Sequence, residues 1–174
     1  MICRSRAAAQ QVRDLVAGFL GRLKLTLHAG KTHVVDLGCD GFDFLGFHFH
    51  KRSSRRTGRV VPYAWPSPKA MQTVREKIRQ QTERTRLRVD LGELVGTLNR
   101  IIRGWRAYFA IGNSTKKLAD LDRYVWLRLW RFLKKRQGPR GRLYPAAFAE
   151  WERRSGLAYF YPTGRRGSAL HVVR

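Results

Sequence analysis

The sequence predicts a two-part fold, α+β in the first third of the chain and mainly α-helical in the remainder. Apolar and polar side chains alternate along residues 41–50, which is typical of a half-buried strand. The prolines of Trp65-Pro66-Ser67-Pro68 then interrupt every periodicity. Beyond them, apolar residues recur every three or four positions, the spacing of amphipathic helices.

In the α+β part we expect one helix and three to four short antiparallel strands. Ser5 is placed to cap a helix that runs through about Leu23. Its apolar face would comprise Val12, Leu15, Val16, Phe19 and Leu20. We expect Leu15 and Phe19 to lie open to solvent.

Strands are predicted for residues 25–27 and 32–37, on either side of a turn, and for residues 41–50. Residues 60–64 would form the returning strand. Gly46 interrupts the alternation, which indicates a bulge or a close backbone approach.

The helical part has clear start signals. Ser67 and Pro68 form an N-cap and first-turn pair for a helix to about Arg86. Further helices are predicted over residues 91–102, 105–110, from Ser114 or Thr115 to about Arg136, and over 145–154. The predicted inward residues are Met71, Val74, Ile78, Leu94, Val95, Leu98, Ile101, Ile102, Leu118, Leu121, Val125, Leu129 and Phe132. We therefore expect domains at residues 1–64 and 65–162, followed by a loose basic tail at 163–174.

The charge of the chain indicates a polyanionic partner. Its 36 Lys and Arg residues against 12 Asp and Glu give a formal charge of +24. Arginine binds phosphate with two parallel hydrogen bonds and stacks on bases, so its predominance favours nucleic acid over a generic acidic partner. A hydrophobic fraction of 43% indicates that this charge covers a folded protein.

Other classes are disfavoured. The N-terminus lacks the apolar run of a signal peptide, and no stretch approaches the ~20 apolar residues of a membrane span. Cys3 and Cys39 are too few and too far apart for a disulfide framework. We expect a cytoplasmic protein without a membrane partner.

No catalytic or metal-binding residues are predicted. Asp40 and Asp43, and Asp120 and Asp122, have the spacing of caps or ion-pair partners, whereas two-metal chemistry needs clustered carboxylates. His48 and His50 share a strand face and could bind zinc with Cys39 or His33, but the ligand spacing of zinc sites is lacking. Surface or nucleic-acid contact is the preferred interpretation of these histidines.

Two segments combine cations with aromatic residues. Residues 98–109 interleave arginines with aliphatic and aromatic positions, which indicates a polyanionic partner, and we predict nucleic-acid contacts from Arg103 and Arg106. The following helix has few acids beside its cations, which favours phosphate binding. There the predicted contacts are Lys116, Lys117, Arg123, Arg128 and Arg131.

These segments, in this order, resemble group II intron-encoded reverse transcriptases and maturases. Leu25-Thr26-Leu27, Lys31-Thr32 and residues 41–47 (Gly-Phe-Asp-Phe-Leu-Gly-Phe) resemble the last blocks of the palm. Leu98-Asn99, then Arg103-Gly104-Trp105, Tyr108-Phe109 and Leu121-Asp122 resemble the maturase-specific thumb, or X, domain. The resemblance covers nearly the whole chain.

The resemblance implies functions for individual residues. Lys31 matches a lysine that approaches the phosphates of the incoming nucleotide, and Phe44, Leu45, Gly46 and Phe47 match the hairpin that grips the primer. The implied partners are group II intron RNA, for splicing, or an RNA–DNA template–primer duplex. Asn99, Arg103 and Trp105 match the thumb signature, so the resemblance implies that they contact nucleic acid. Gly104-Trp105 would form a helix junction within the thumb.

The sequence departs from this family in one respect. The Tyr-Ala-Asp-Asp block that carries the catalytic aspartates of these polymerases does not occur in the 174 residues. We therefore expect a C-terminal piece, without activity or cofactor of its own, whose Mg²⁺ would belong to a complete polymerase. The alternatives are half of a split polymerase with a separately encoded N-terminal partner, and a non-enzymatic basic RNA-binding module.

Overall fold

A computed structural model describes residues 3, 5–39, 41–54, 57–138 and 141–161. Helix α1 (Arg6–Arg22) is followed by strands β1 (Phe42–Phe44), β2 (Phe47–Ser53) and β3 (Val60–Pro66). Helices α2 (Pro68–Gln81), α3 (Leu91–Phe109), α4 (Thr115–Arg136) and α5 (Pro145–Arg154) complete the order. Single 3₁₀ turns occupy Ala29–Lys31 and Arg84–Arg86. The predicted fold class is confirmed.

The strands form one antiparallel sheet in the order β1-β2-β3. Leu45 and Gly46 connect β1 to β2 with φ angles of 49° and 80°. Two central residues of positive φ give a hairpin turn whose twist suits the flanking strands. The strand predicted over residues 41–50 is therefore two strands. A Cβ added to Gly46 would lie 3.1 Å from the Phe109 ring, which confirms the predicted close approach.

The strands predicted over residues 25–27 and 32–37 are wrong. Lys24, with a φ of 57°, turns the chain at the end of α1, and the N–H of Leu25 donates to the carbonyl of Leu20 at 2.9 Å. This bond closes the C-terminus of the helix, so the N–H is used for a cap instead of a strand ladder. Residues 32–36 are irregular.

Helix α1 begins as predicted, because the hydroxyl of Ser5 accepts a hydrogen bond from the N–H of Ala8 at 3.2 Å. None of its residues is buried. Leu15 and Phe19 are 74% and 58% exposed, as expected from the sequence.

Two helix boundaries differ from the predictions. Helix α2 starts at Pro68 after the Ser67 cap but ends at Gln81, and Thr82 donates its hydroxyl to the carbonyl of Ile78 at 2.9 Å. Helix α3 is continuous, so the predicted junction at Gly104-Trp105 is wrong. Glycine costs a helix only about 1 kcal/mol relative to alanine, too little to break one whose apolar side is buried.

The chain divides into two compact units. One comprises Met1–Phe44 and Phe49–Tyr63, and the other comprises Leu45–His48 and Ala64–Arg174. The second unit contains the main hydrophobic core, to which α2, α3, α4 and α5 contribute. All predicted inward residues are buried there except Ile101, which is partly buried against the core. The predicted tail at 163–174 lies outside the described residues. Among the described helices, none has the length and apolar character needed to span a bilayer.

Candidate nucleic-acid interface

The outer side of α4 carries a row of cations. Lys116, Arg123, Arg131 and Lys134 are exposed, and the helical period places them within roughly 80° of one another around the axis. This α4 row is about 27 Å long at 1.5 Å per residue. Asp120 lies within it, on the side opposite the buried heptad positions of the helix.

Two other predicted cations of α4 lie off this row. Lys117 is partly exposed. Arg128 is also partly exposed, and its Nε donates to the hydroxyl of Thr82 at 2.9 Å. The Nη2 group of Arg128 donates to the carbonyls of Thr82 and Arg79 at 3.0 and 3.3 Å. Arg128 therefore satisfies carbonyl groups at the C-terminus of α2, which a helix leaves without partners.

The predicted residues of α3 differ in exposure. Arg103 is exposed and Arg106 is half-buried. Trp105 packs inside the second unit, with its ring centroid 4.3 Å from that of Phe109 and 5.4 Å from that of Phe160. Of these three, Arg103 offers a phosphate the most accessible charge.

Two polar side chains hold residues 156–161, the C-terminal strap, on the helical core. The amide of Asn99 donates to the carbonyl of Gly156 at 2.9 Å and accepts from the N–H of Ala158 at 2.6 Å. The carboxylate of Asp122 accepts from the N–H groups of Phe160 and Tyr161 at 2.8 and 2.9 Å. These bonds seat Phe160 in the core, where it is fully buried.

The carboxyl group of Asp122 has a raised pKa. Burial raises the pKa of this carboxyl from 3.8 to about 6. The hydrogen bonds from Tyr161 and Phe160 oppose the rise, the charge of Glu152 adds to it, and the charge of Arg106 opposes it. Desolvation, which disfavours the ionised form, is the largest of these effects.

The predicted primer-grip residues lie at the hairpin tip. Phe44 and Leu45 are exposed, whereas Phe47 is buried, with its ring centroid 4.9 Å from that of Phe109. The hydroxyl of Tyr108 donates to the carbonyl of Leu45 at 2.9 Å. Residues 45–48 are therefore fixed against the end of α3 and present the side chain of Leu45 to solvent.

The remaining predicted residues do not form a metal site. Lys31 is exposed at the end of a 3₁₀ turn. His48 lies with its ring centroid 5.1 Å from that of Trp65. Within the part of the chain that the structure describes, no three His, Cys, Asp or Glu side chains come close enough to hold a metal ion.

The connection between α2 and α3 carries cations that were not among the predicted contacts. Arg84, Arg86 and Arg88 alternate along this connection, and that alternation was the available signal. Arg136 donates to the carbonyl of Val89, and so the connection lies at the C-terminal end of α4. These cations and those of α4 belong to the same unit.

The comparison with protein families identifies the helical segment. Residues 71–144 match the family described as Group II intron, maturase-specific domain. The match includes α3 and α4 completely, begins within α2, and stops where α5 begins. No curated protein matches the chain.

Proposed function

Because residues 71–144 match the group II intron maturase-specific domain, we propose that this chain binds the structured RNA of a group II intron and assists its splicing. The domain itself implies a role related to intron RNA. To this role we add that the chain binds the RNA directly, through the surface named below.

The α4 row is the observation that carries this proposal. Exposed cations along one side of a helix suit the regular backbone of a duplex, since contacts to phosphates position a protein without reading bases. A-form RNA is recognised mostly by its shape and its backbone, across a wide minor groove. Arg103 supplies a further exposed cation on α3.

We propose that this contribution is binding and that the chain performs no chemical step of its own. The Tyr-Ala-Asp-Asp sequence of the complete polymerases is absent from its 174 residues. The same surface would suit an RNA–DNA template–primer duplex, because such a heteroduplex also has A-form geometry. Binding assays with both duplexes would rank the two partners.

The test is the salt dependence of RNA binding by the full chain, measured by fluorescence anisotropy on a folded group II intron transcript. Each phosphate neutralised contributes about 0.7–0.9 to the slope of log K against log salt. Arg123→Ala/Arg131→Ala should therefore lower the magnitude of this slope by about 1.4–1.8.

The matched control is Arg153→Ala/Arg154→Ala on α5. Both arginines are exposed and form ion pairs with Glu150, so the control removes the same formal charge from another surface. Its slope should stay close to that of the unaltered chain. Equal slopes for the two double variants would exclude the α4 row as the interface, and binding that is undetectable or insensitive to salt would contradict the proposed function.

A further inference from the structure

A cleft opens between the end of α2, the 3₁₀ turn Arg84–Arg86 and the last third of α4. Its volume is about 370 Å³, within the range of small-molecule pockets. Leu87 and Phe132 form part of its wall, and Thr82 and Thr85 also line it. The cleft lies entirely within the second unit.

The charge of this cleft is strongly positive. Arg79, Arg84, Arg128 and Lys135 line it together with one carboxylate, that of Glu83. Glu83 lies 3.9 Å from Arg79, an exposed pair that screens little of the remaining charge. Three cations are thus left without a carboxylate partner among the lining residues.

Arg128 is ordered at the wall of the cleft. Its three hydrogen bonds to Thr82 and Arg79 fix the guanidinium at the wall of the cleft. The hydroxyl of Thr82 is itself fixed by its bond to Ile78. A side chain that is already ordered loses less conformational entropy when it binds. The same bonds satisfy the carbonyls at the end of α2, whose partial negative charge would otherwise oppose an anion.

We propose that this cleft, here called the α2–α4 cleft, is a binding site for a phosphate group. Arginine side chains match phosphate with two parallel hydrogen bonds, and lysine and threonine side chains are further common phosphate ligands. The phosphate is a diester of a bound polynucleotide or a free phosphate anion. For the first source the proposal rests on the proposed function, and it adds a defined subsite separate from the α4 row.

The test compares two double variants of the full chain. Arg84→Ala/Lys135→Ala removes two exposed cations that line the cleft. Lys69→Ala/Lys77→Ala removes two exposed cations of α2 that do not line it. One arm measures the salt slope of binding to an RNA duplex, and the other measures the thermal shift caused by inorganic phosphate against chloride at equal ionic strength.

A polynucleotide source predicts that the cleft variant loses about 0.7–0.9 of the slope, the contribution of one phosphate, while the control does not. A free-anion source predicts that phosphate raises the melting temperature of the unaltered chain and of the control, but not that of the cleft variant. If both arms give the same result for the two double variants, the proposal is overturned.

The two arms also separate this proposal from the proposed function. A chain that binds no RNA contradicts the proposed function, and the phosphate arm still decides the cleft. Arg84→Lys keeps the charge but loses the planar fork, so it tests recognition without a change in net charge. Arg84→Lys should weaken binding of the RNA duplex or of inorganic phosphate, whichever the unaltered chain binds. If Arg84→Ala/Lys135→Ala does not fold, Arg84→Lys takes its place, and unaltered binding by Arg84→Lys overturns the proposal.

Discussion

Asp122 joins the C-terminal strap to α4 through a carboxyl group whose pKa is raised to about 6 by burial. A pKa raised above that of the unfolded chain means that the folded state favours the protonated form. The resulting stability is fully present below about pH 3.8 and is lost as the pH rises through about 6. We therefore expect the contribution of Asp122 to the free energy of unfolding to decrease as the pH is raised from 3.8 to about 6.

Asp122→Asn should remove this dependence on pH, because an amide does not titrate. The measurement is urea unfolding of both proteins at several pH values, with the difference between them plotted against pH so that other titrating groups cancel. The stability of the unaltered chain relative to the variant should decrease as the pH rises. A constant difference would show that the carboxyl is not desolvated.

Leu45 occupies the first turn position of the β1–β2 hairpin with a φ of 49°, a conformation that glycine and asparagine adopt more readily. Its side chain is 67% exposed, so replacing it removes little packing. Leu45→Asn should therefore raise the free energy of unfolding by about 1 kcal/mol, the lower end of the cost of such strain.

Denaturant unfolding would measure this gain, with Leu127→Asn as the control. Leu127 is an exposed leucine with helical backbone on α4, where asparagine has the lower helix propensity. The control should be slightly destabilised. A loss of stability in Leu45→Asn would mean that the leucine packs more than its exposure indicates.

At the scale of whole elements, α3 contains a glycine at a position where a larger side chain would fit. A Cβ added to Gly104 would meet nothing within 4 Å, and the residue lies inside the helix. Gly104→Ala should therefore stabilise the chain by about 1 kcal/mol. Thermal or urea unfolding monitored by circular dichroism would measure the change.

Gly46→Ala provides the opposite case. Its Cβ would approach the ring of Phe109 to 3.1 Å, and its φ of 80° is one that alanine rarely adopts. This variant should lose stability, since both the backbone and the contact are unfavourable. If both glycine variants changed stability in the same direction, the local geometry would not explain the effect.

Local signals predicted most of the elements. The caps at Ser5 and Ser67 and the heptad spacing of α4 depend on residues close together in the chain, so they can be predicted from the local sequence. The strand patterns at 25–27 and 32–37 failed because a strand needs a partner for its ladder, which local sequence does not specify. The junction expected at Gly104 failed because burial of the apolar side of α3 outweighs the preference of one glycine.

The candidate site was less predictable because it depends on which way a side chain faces and what it meets. Arg128 and Arg131 lie one turn apart on α4, but one is bound to the end of α2 and the other is exposed. Asn99 was predicted to contact nucleic acid, and the structure shows its amide bonded to the strap; whether it also contacts RNA stays a prediction. Contacts between residues nearly sixty positions apart give no local signal.

At the scale of the whole molecule, the helical core extends beyond the segment that matches the maturase-specific family. Phe148 of α5 and Phe160 of the strap are fully buried, and both lie outside residues 71–144. Phe148 lies edge-on to Trp126 and Trp130, with ring centroids 5.2 and 5.4 Å away. The matched segment therefore depends on the residues after it for part of its core.

Phe160→Ala tests this dependence. Removing a fully buried phenylalanine should cost about 3–5 kcal/mol of unfolding free energy, from lost burial and from the cavity left behind. Phe44→Ala, at a phenylalanine that is 58% exposed, is the matched control and should change stability far less. The comparison uses urea unfolding of the full chain, followed by the fluorescence of its tryptophans, one of which, Trp105, packs against Phe160. Equal stabilities of the two variants would mean that the strap is not part of the core and that the helices matched by the family are complete without it.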